Sequence, residues 1–151
     1  MSSPVTSRRA FVASALALAL APVRAMHGAA GDASPGCGHG RHARRTGPHP
    51  TPRPHVTAAR VVPAAKLADE SQAVRSAFDE VRQIPGIADG IRCQCGCADM
   101  EGSYSLLSCF EGDGMARHCD VCQGQARLAF RLHRGGRSLR DVRAAIDARY
   151  G

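Results

Sequence analysis

The chain of 151 residues has no tryptophan, two tyrosines and four phenylalanines. It therefore lacks the stacking platforms that nucleic-acid binders combine with a basic face. The formal charge of +7 does not supply such a face. Residues 1–25 hold three Arg and no acid, and residues 26–62 hold five Arg and one Asp. Residues 63–151 hold twelve basic and twelve acidic side chains, so the charge excess lies outside them. Nucleic acid is not an expected partner. Long hydrophobic runs are missing too: the apolar stretch Phe11 to Val23 falls short of the ~20 residues that span a bilayer. No stable membrane span is expected once a signal is removed. No Cys ends that stretch, so no lipid-attachment site is expected. There is no Gly-rich phosphate loop, no Ser nucleophile elbow and no Cys-x-x-Cys-His haem attachment, residue 123 being Gln. Nothing in the pattern points to an enzyme.

Against these absences stands one abundance. Cys93, Cys95, Cys97, Cys109, Cys119 and Cys122 fall within thirty residues. In extended backbone alternate side chains share a face, so residues 93, 95 and 97 can present three thiols together. Neighbours at i and i+2 rarely satisfy disulfide geometry with each other, whereas converging sulfurs suit a thiolate-binding metal. Cys119 and Cys122, three residues apart at the start of an expected helix, share one face near its positive dipole end. His118 precedes them and can add an imidazole as a conditional seventh donor.

These donors predict a soft-metal site for Cu(I) or Zn(II) in a carrier, sensor or scavenger, with a metal-donor or acceptor protein as partner. Zinc takes four tetrahedral ligands, while monovalent copper accepts two or three thiolates and tolerates shared ones. Two alternatives stay open. An exported small domain with an even cysteine count fits a disulfide-stapled interaction domain, and six cysteines allow fifteen pairings. The Cys119-x-x-Cys122 pair fits a thiol-disulfide redox protein, although no βαβ pattern accompanies it.

Three segments are expected. Ser7-Arg8-Arg9-Ala10-Phe11-Val12, with Val23-Arg24-Ala25 after the apolar run, resembles a twin-arginine signal peptide over residues 1–25. This implies a periplasmic or extracellular protein, exported folded. Residues 26–62 read as a disordered Pro/Gly/His/Arg-rich linker in which Pro48, Pro50, Pro52 and Pro54 favour an extended rod. Its His27, Cys37, His39, His42, His49 and His55 fit a metal-scavenging arm, but a solvated linker is the preferred reading. Residues 63–151 form one Cys-rich domain, small enough to need a metal or disulfide staple.

That domain is expected to be all-α, a small helical bundle closed around a Cys-rich loop. A first helix runs from about Lys66 to Arg82 on Leu67, Val74, Phe78 and Val81, stopped by Ile84-Pro85-Gly86. Residues 87–102 are an irregular or extended loop, and Ser103 to Phe110 a short helix. A longer helix from Ala116 to Arg134 carries Val121, Gln125, Leu128 and Leu132. The last begins at Ser138, with Asp141 in a capping-box position and Leu139, Val142, Ile146 and Tyr150 as its buried stripe.

Arg92-Cys93-Gln94-Cys95-Gly96-Cys97, Ser105-Leu106-Leu107-Ser108-Cys109-Phe110 and His118-Cys119-Asp120-Val121-Cys122 together resemble the family of exported proteins and lipoproteins named for a Pro-Cys-Tyr-Cys-Gly-Cys motif. The resemblance covers most of residues 85 to 150. It implies a metal-binding role rather than a defined activity. Arg92 stands for the motif's Pro and Gln94 for its Tyr, and Ser103 replaces a His that many relatives carry. A weaker similarity joins Cys119-x-x-Cys122-Gln123, Gly136-Arg137-Ser138 and Ala148-Arg149-Tyr150-Gly151 to the helical thiol subunit of cytochrome c maturation, which implies thiol redox work.

Overall fold

The computed structural model of the chain describes residues 47–151. Four α-helices make the frame: α1 (Gln72–Gln83), α2 (Pro85–Asp89), α3 (Asp120–Arg134) and α4 (Leu139–Tyr150). Short 3-10 turns at Ala64–Leu67, Cys97–Asp99, Leu107–Phe110 and Met115–His118 connect them. Among the described residues there is no strand beyond a single antiparallel bridge between Val61 and Glu111. The architecture is the expected helical bundle.

The expected first helix is broken in two. Ser71 takes an extended backbone and its hydroxyl accepts from the Val74 N–H at 3.3 Å. It therefore caps α1, while Ala64–Leu67 stays a separate 3-10 turn with Leu67 buried. The stripe Val74, Ala77, Phe78 and Val81 is buried. Pro85 does not simply end α1. The residue before a proline is pushed out of helical backbone, and Ile84 sits at φ −131°, so Pro85 becomes the first residue of α2.

The stripe of α3 is rotated from the expected one. Val121, Leu128 and Leu132 are only half-buried, and the fully covered face is Cys122, Gln125, Ala126 and Ala129. Small side chains there let α3 lie close to its neighbours. Gly124 shows the same tightness: a Cβ on it would meet the Tyr150 hydroxyl of α4 at 2.5 Å. Ser138 caps α4 as expected, with reciprocal bonds to Asp141. Val142 and Ile146 are its buried residues, Leu139 and Tyr150 being half-buried. Phe78 of α1 and Phe110 meet edge-to-face at 4.8 Å between centroids, a contact that adds about 1 kcal/mol to their burial.

Residues 47–62, expected as part of the linker, pack as a strap on the helices. Val61 and Val62 are buried, and the Val62 N–H donates to the Phe110 carbonyl at 3.0 Å. Arg143 of α4 donates to the carbonyls of Pro50 (2.7 Å) and Gly90 (2.8 Å). A Cβ at Gly90 would fall 2.9 Å from Pro52 and 2.8 Å from Leu139, so glycine there admits both strap and helix. Arg53 reaches the fully buried Asp89, donating from its backbone at 2.7 Å and its guanidinium at 2.6 Å, and the Ser105 hydroxyl adds a third donor at 3.0 Å. Burial acts to raise the Asp89 pKa, and these bonds outweigh it, holding the carboxyl below its ordinary range. The strap is held by Arg53 on the Asp89 carboxylate, by Arg143 on a strap carbonyl and by the burial of Val61 and Val62, contacts that carry no periodic signal. The expected signal peptide and the rest of the linker, with His27, Cys37, His39 and His42, lie outside the described residues.

Candidate metal centre

The Cys-rich segment is a loop pinched at its base, where the Leu106 N–H donates to the Ile91 carbonyl at 2.7 Å. Inside it the backbone takes the irregular rather than the extended of the two forms expected. Residues 94–96 form a turn, with Gly96 at φ +94°, a conformation glycine adopts without steric cost. The turn, rather than strand alternation, gathers the first three thiols. Cys93 Sγ lies 3.4 Å from Cys95 Sγ, and Cys95 Sγ lies 3.0 Å from Cys97 Sγ.

The other elements close on this turn. Cys109, in the 3-10 turn Leu107–Phe110, brings its sulfur 3.1 Å from that of Cys97. Cys122, in the first turn of α3, lies 3.5 Å from both Cys93 and Cys95. Cys119 is the N-cap of α3, its sulfur accepting from the Cys122 N–H at 3.4 Å. All six are free cysteines, and the sulfur–sulfur distances are well beyond the ~2.05 Å of a disulfide bond. Cys93, Cys95, Cys97 and Cys122 place their sulfurs within 4.8 Å of one another, a span close to two metal–sulfur bonds of about 2.3 Å each. This quartet could hold a metal ion. Cys109 and Cys119 extend it on the Cys97 and Cys122 sides.

The sulfurs share protons through hydrogen bonds. Cys109, then Cys122 and Cys93, bond to the Cys97 sulfur and bring its pKa down to about 4. Cys95 falls far below the ordinary thiol range, held there by Cys109, Cys119, Cys122 and Cys93. Cys122 is pushed up by Cys109 first, then Cys119, Cys93 and Cys95, with burial adding to the effect. The shifts run in opposite directions within one hydrogen-bonded set, so protonation belongs to the cluster rather than to any one sulfur.

His118 is not brought in. It ends the 3-10 turn Met115–His118 and is exposed. The extended backbone of Cys119 (φ −133°, ψ 101°) then turns the chain inward only after it. His49, one of the linker histidines, is also spoken for. Its Nδ1 accepts from the Arg92 N–H at 2.9 Å, while Nε2 donates to the Asp147 carboxylate at 3.1 Å. It braces the strap against the residue before Cys93 and has no free nitrogen for a metal.

Two polar residues shape the centre without having stood out as site residues. Gln125 of α3, fully buried, accepts from the Gln94 N–H at 3.2 Å and donates to the Val121 carbonyl at 3.3 Å, with Nε2 3.7 Å from Cys93 Sγ. It fixes the turn onto α3. Gln123 donates to the Ala116 carbonyl at 2.8 Å and ties α3 to the preceding 3-10 turn. The one signal for Gln125 in the sequence is its polar side chain inside an apolar stripe.

Fold and centre define a small helical protein that folds around a cluster of six thiols. The model of a family of proteins of unknown function with a PCYCGC motif matches residues 36–151, and the chain belongs to that family. No curated protein and no solved structure matches it. The similarity to the helical thiol subunit of cytochrome c maturation finds no support in these comparisons.

Proposed function

We propose that the protein is an exported carrier of a soft metal ion, taken up as cargo by Cys93, Cys95, Cys97, Cys109, Cys119 and Cys122. The observation that supports this best is the gathering of thiols from separate stretches of chain: Cys93, Cys95, Cys97 and Cys122 lie within 4.8 Å of one another, Cys109 and Cys119 flank them, and five of the six are buried. Anionic sulfur away from water is costly unless a counter-charge accompanies it, and a cation among the thiolates supplies one. The donor set favours monovalent copper over zinc. Zinc is satisfied by four ligands and accepts imidazole, whereas copper(I) is matched to sulfur and shares thiolates between ions. Here the donors are all sulfur and number more than four. The twin-arginine resemblance of residues 1–25 supports export after folding, which lets the cluster fill in the reducing cytoplasm before the exterior can oxidise it.

The test is native and denaturing mass spectrometry on protein from its own compartment, with thiols alkylated before unfolding. The carrier should show a mass excess of copper or zinc that vanishes on denaturation, leaving all six core thiols alkylatable. A metal-free protein lighter by about two hydrogens for each bonded cysteine pair would overturn it in favour of disulfides. Reversible cycling of a Cys119–Cys122 pair would then mark a redox protein.

A further inference from the structure

The cluster is not closed evenly, and its open side has a distinct composition. Cys93, Cys97, Cys109, Cys119 and Cys122 are between 0 and 4 % exposed, while Cys95 is the half-buried sulfur of the six. Cys95 stands in the turn at Gly96, which is exposed and has nothing within 4 Å of where a Cβ would be. The chain then runs out through Asp99, Met100, Glu101 and Gly102, all exposed, and Gly102 also faces open space. Both exposed large hydrophobic side chains among the described residues lie on this loop: Met100 at 56 % and Tyr104 at 44 %. Tyr104 is held in place there, its hydroxyl donating to the Thr51 carbonyl at 2.6 Å with Arg53 5.0 Å above its ring. A loop that buries its sulfurs yet presents a thioether and an aromatic ring outward departs from an ordinary polar surface loop.

We propose that Cys95 is the exchange edge of the cluster, where the ion passes to or from a partner protein that presents its own exposed cysteine thiolates, with Met100 and Tyr104 as the contact surface. The inference rests on the soft-metal reading of the cluster. Five sulfurs are out of a partner's reach, so the first bond to an incoming donor must form at an ion bound to Cys95. The metal stays monovalent throughout. A metal–sulfur bond to the partner thiolate forms first, the partner thiol having released its proton to solvent. The bond to Cys95 then breaks, and the freed thiolate takes up a proton. The remaining sulfurs let go in turn, so the ion is never bare in water.

The test uses the processed protein loaded anaerobically with copper(I). Sub-stoichiometric N-ethylmaleimide followed by peptide mapping should label Cys95 at least about tenfold faster than any other core cysteine, since thiolate reactivity follows exposure. Copper should pass to an added single-cysteine peptide at a rate that rises linearly with peptide concentration. Met100→Glu should leave the bound copper unchanged and alter that rate by about threefold or more, the behaviour expected of a contact-rim residue. Even labelling, first labelling elsewhere, or a transfer rate independent of peptide concentration would overturn the edge. A rate unchanged in Met100→Glu would overturn the assigned contact surface. A chain that binds neither copper nor zinc overturns the metal reading and this inference with it, an outcome visible before any labelling.

Discussion

At the scale of the residue, two buried polar side chains carry consequences that can be measured. Asp89 is fully buried, whereas its partner Arg53 is 38 % exposed on its side chain. The two ends of the pair are therefore unequal. Arg53→Ala leaves a buried carboxylate with only the Ser105 hydroxyl and a backbone N–H, and should cost on the order of 3 kcal/mol in urea unfolding. The pH dependence has a definite sign. The folded-state pKa of Asp89 is lowered, so its contribution is present above the unfolded value of about 4. It is lost as pH falls through the lowered folded value. Asp89→Asn should flatten that acid limb, and an unchanged limb would show that other carboxylates govern it. Gln125 works differently, because it supports the cysteines rather than the core. Gln125→Leu should keep the helices by circular dichroism yet reduce retained metal, and Gln125→Glu should restore the acceptor for Gln94 N–H. Equal metal retention in all three proteins would remove Gln125 from the centre.

At the scale of the element, local chemistry decided what the sequence could tell. Ser138 and Asp141 form the capping box their spacing announced, and Ser138→Ala should cost about 1 kcal/mol in thermal unfolding without altering the metal centre. The face of α3 was harder to find. Val121, Leu128 and Leu132 attract attention by size, but the covered face is Cys122, Ala126 and Ala129, where tight packing favours small side chains. The cysteine spacing pointed to a cluster, and Cys93, Cys95, Cys97 and Cys122 do place their sulfurs within 4.8 Å of one another. It could not reveal the means, since the turn at Gly96 and an extended run both bring residues 93, 95 and 97 to one side. Strap residues 47–62 left no trace because isolated polar contacts, Arg53 donating to Asp89, His49 bridging Arg92 and Asp147, and the Pro50 carbonyl accepting from Arg143, have neither a helical nor a strand period. The 3-10 turns were similarly blurred into longer helices: Ser71 and Cys119, both extended N-caps, cut them short.

At the scale of the whole molecule, the strap makes the folded unit larger than the Cys-rich region suggests. A chain trimmed to begin at Pro63 loses Val61, Val62, Arg53 and His49 together. It should unfold at lower urea than one beginning at Gly47, and equal midpoints would mean the strap is ornamental. Among the described residues no helix is long and apolar enough to cross a membrane. Removing a bound ion with a strong chelator should lower the melting temperature, because ligation and folding are linked in small sites.

The contact between Cys93 and Cys122 joins positions 29 apart, with Cys95, Cys97, Cys109 and Cys119 between them. In polymer terms an ion shared by those two sulfurs turns an open stretch into a ring. Such a ring denies the unfolded ensemble about 3.5 kcal/mol of configurational freedom, by the relation that holds for covalent cross-links. Unlike a covalent link, this one would be undone on the carrier reading by delivery of the ion, and the emptied protein would be the looser one.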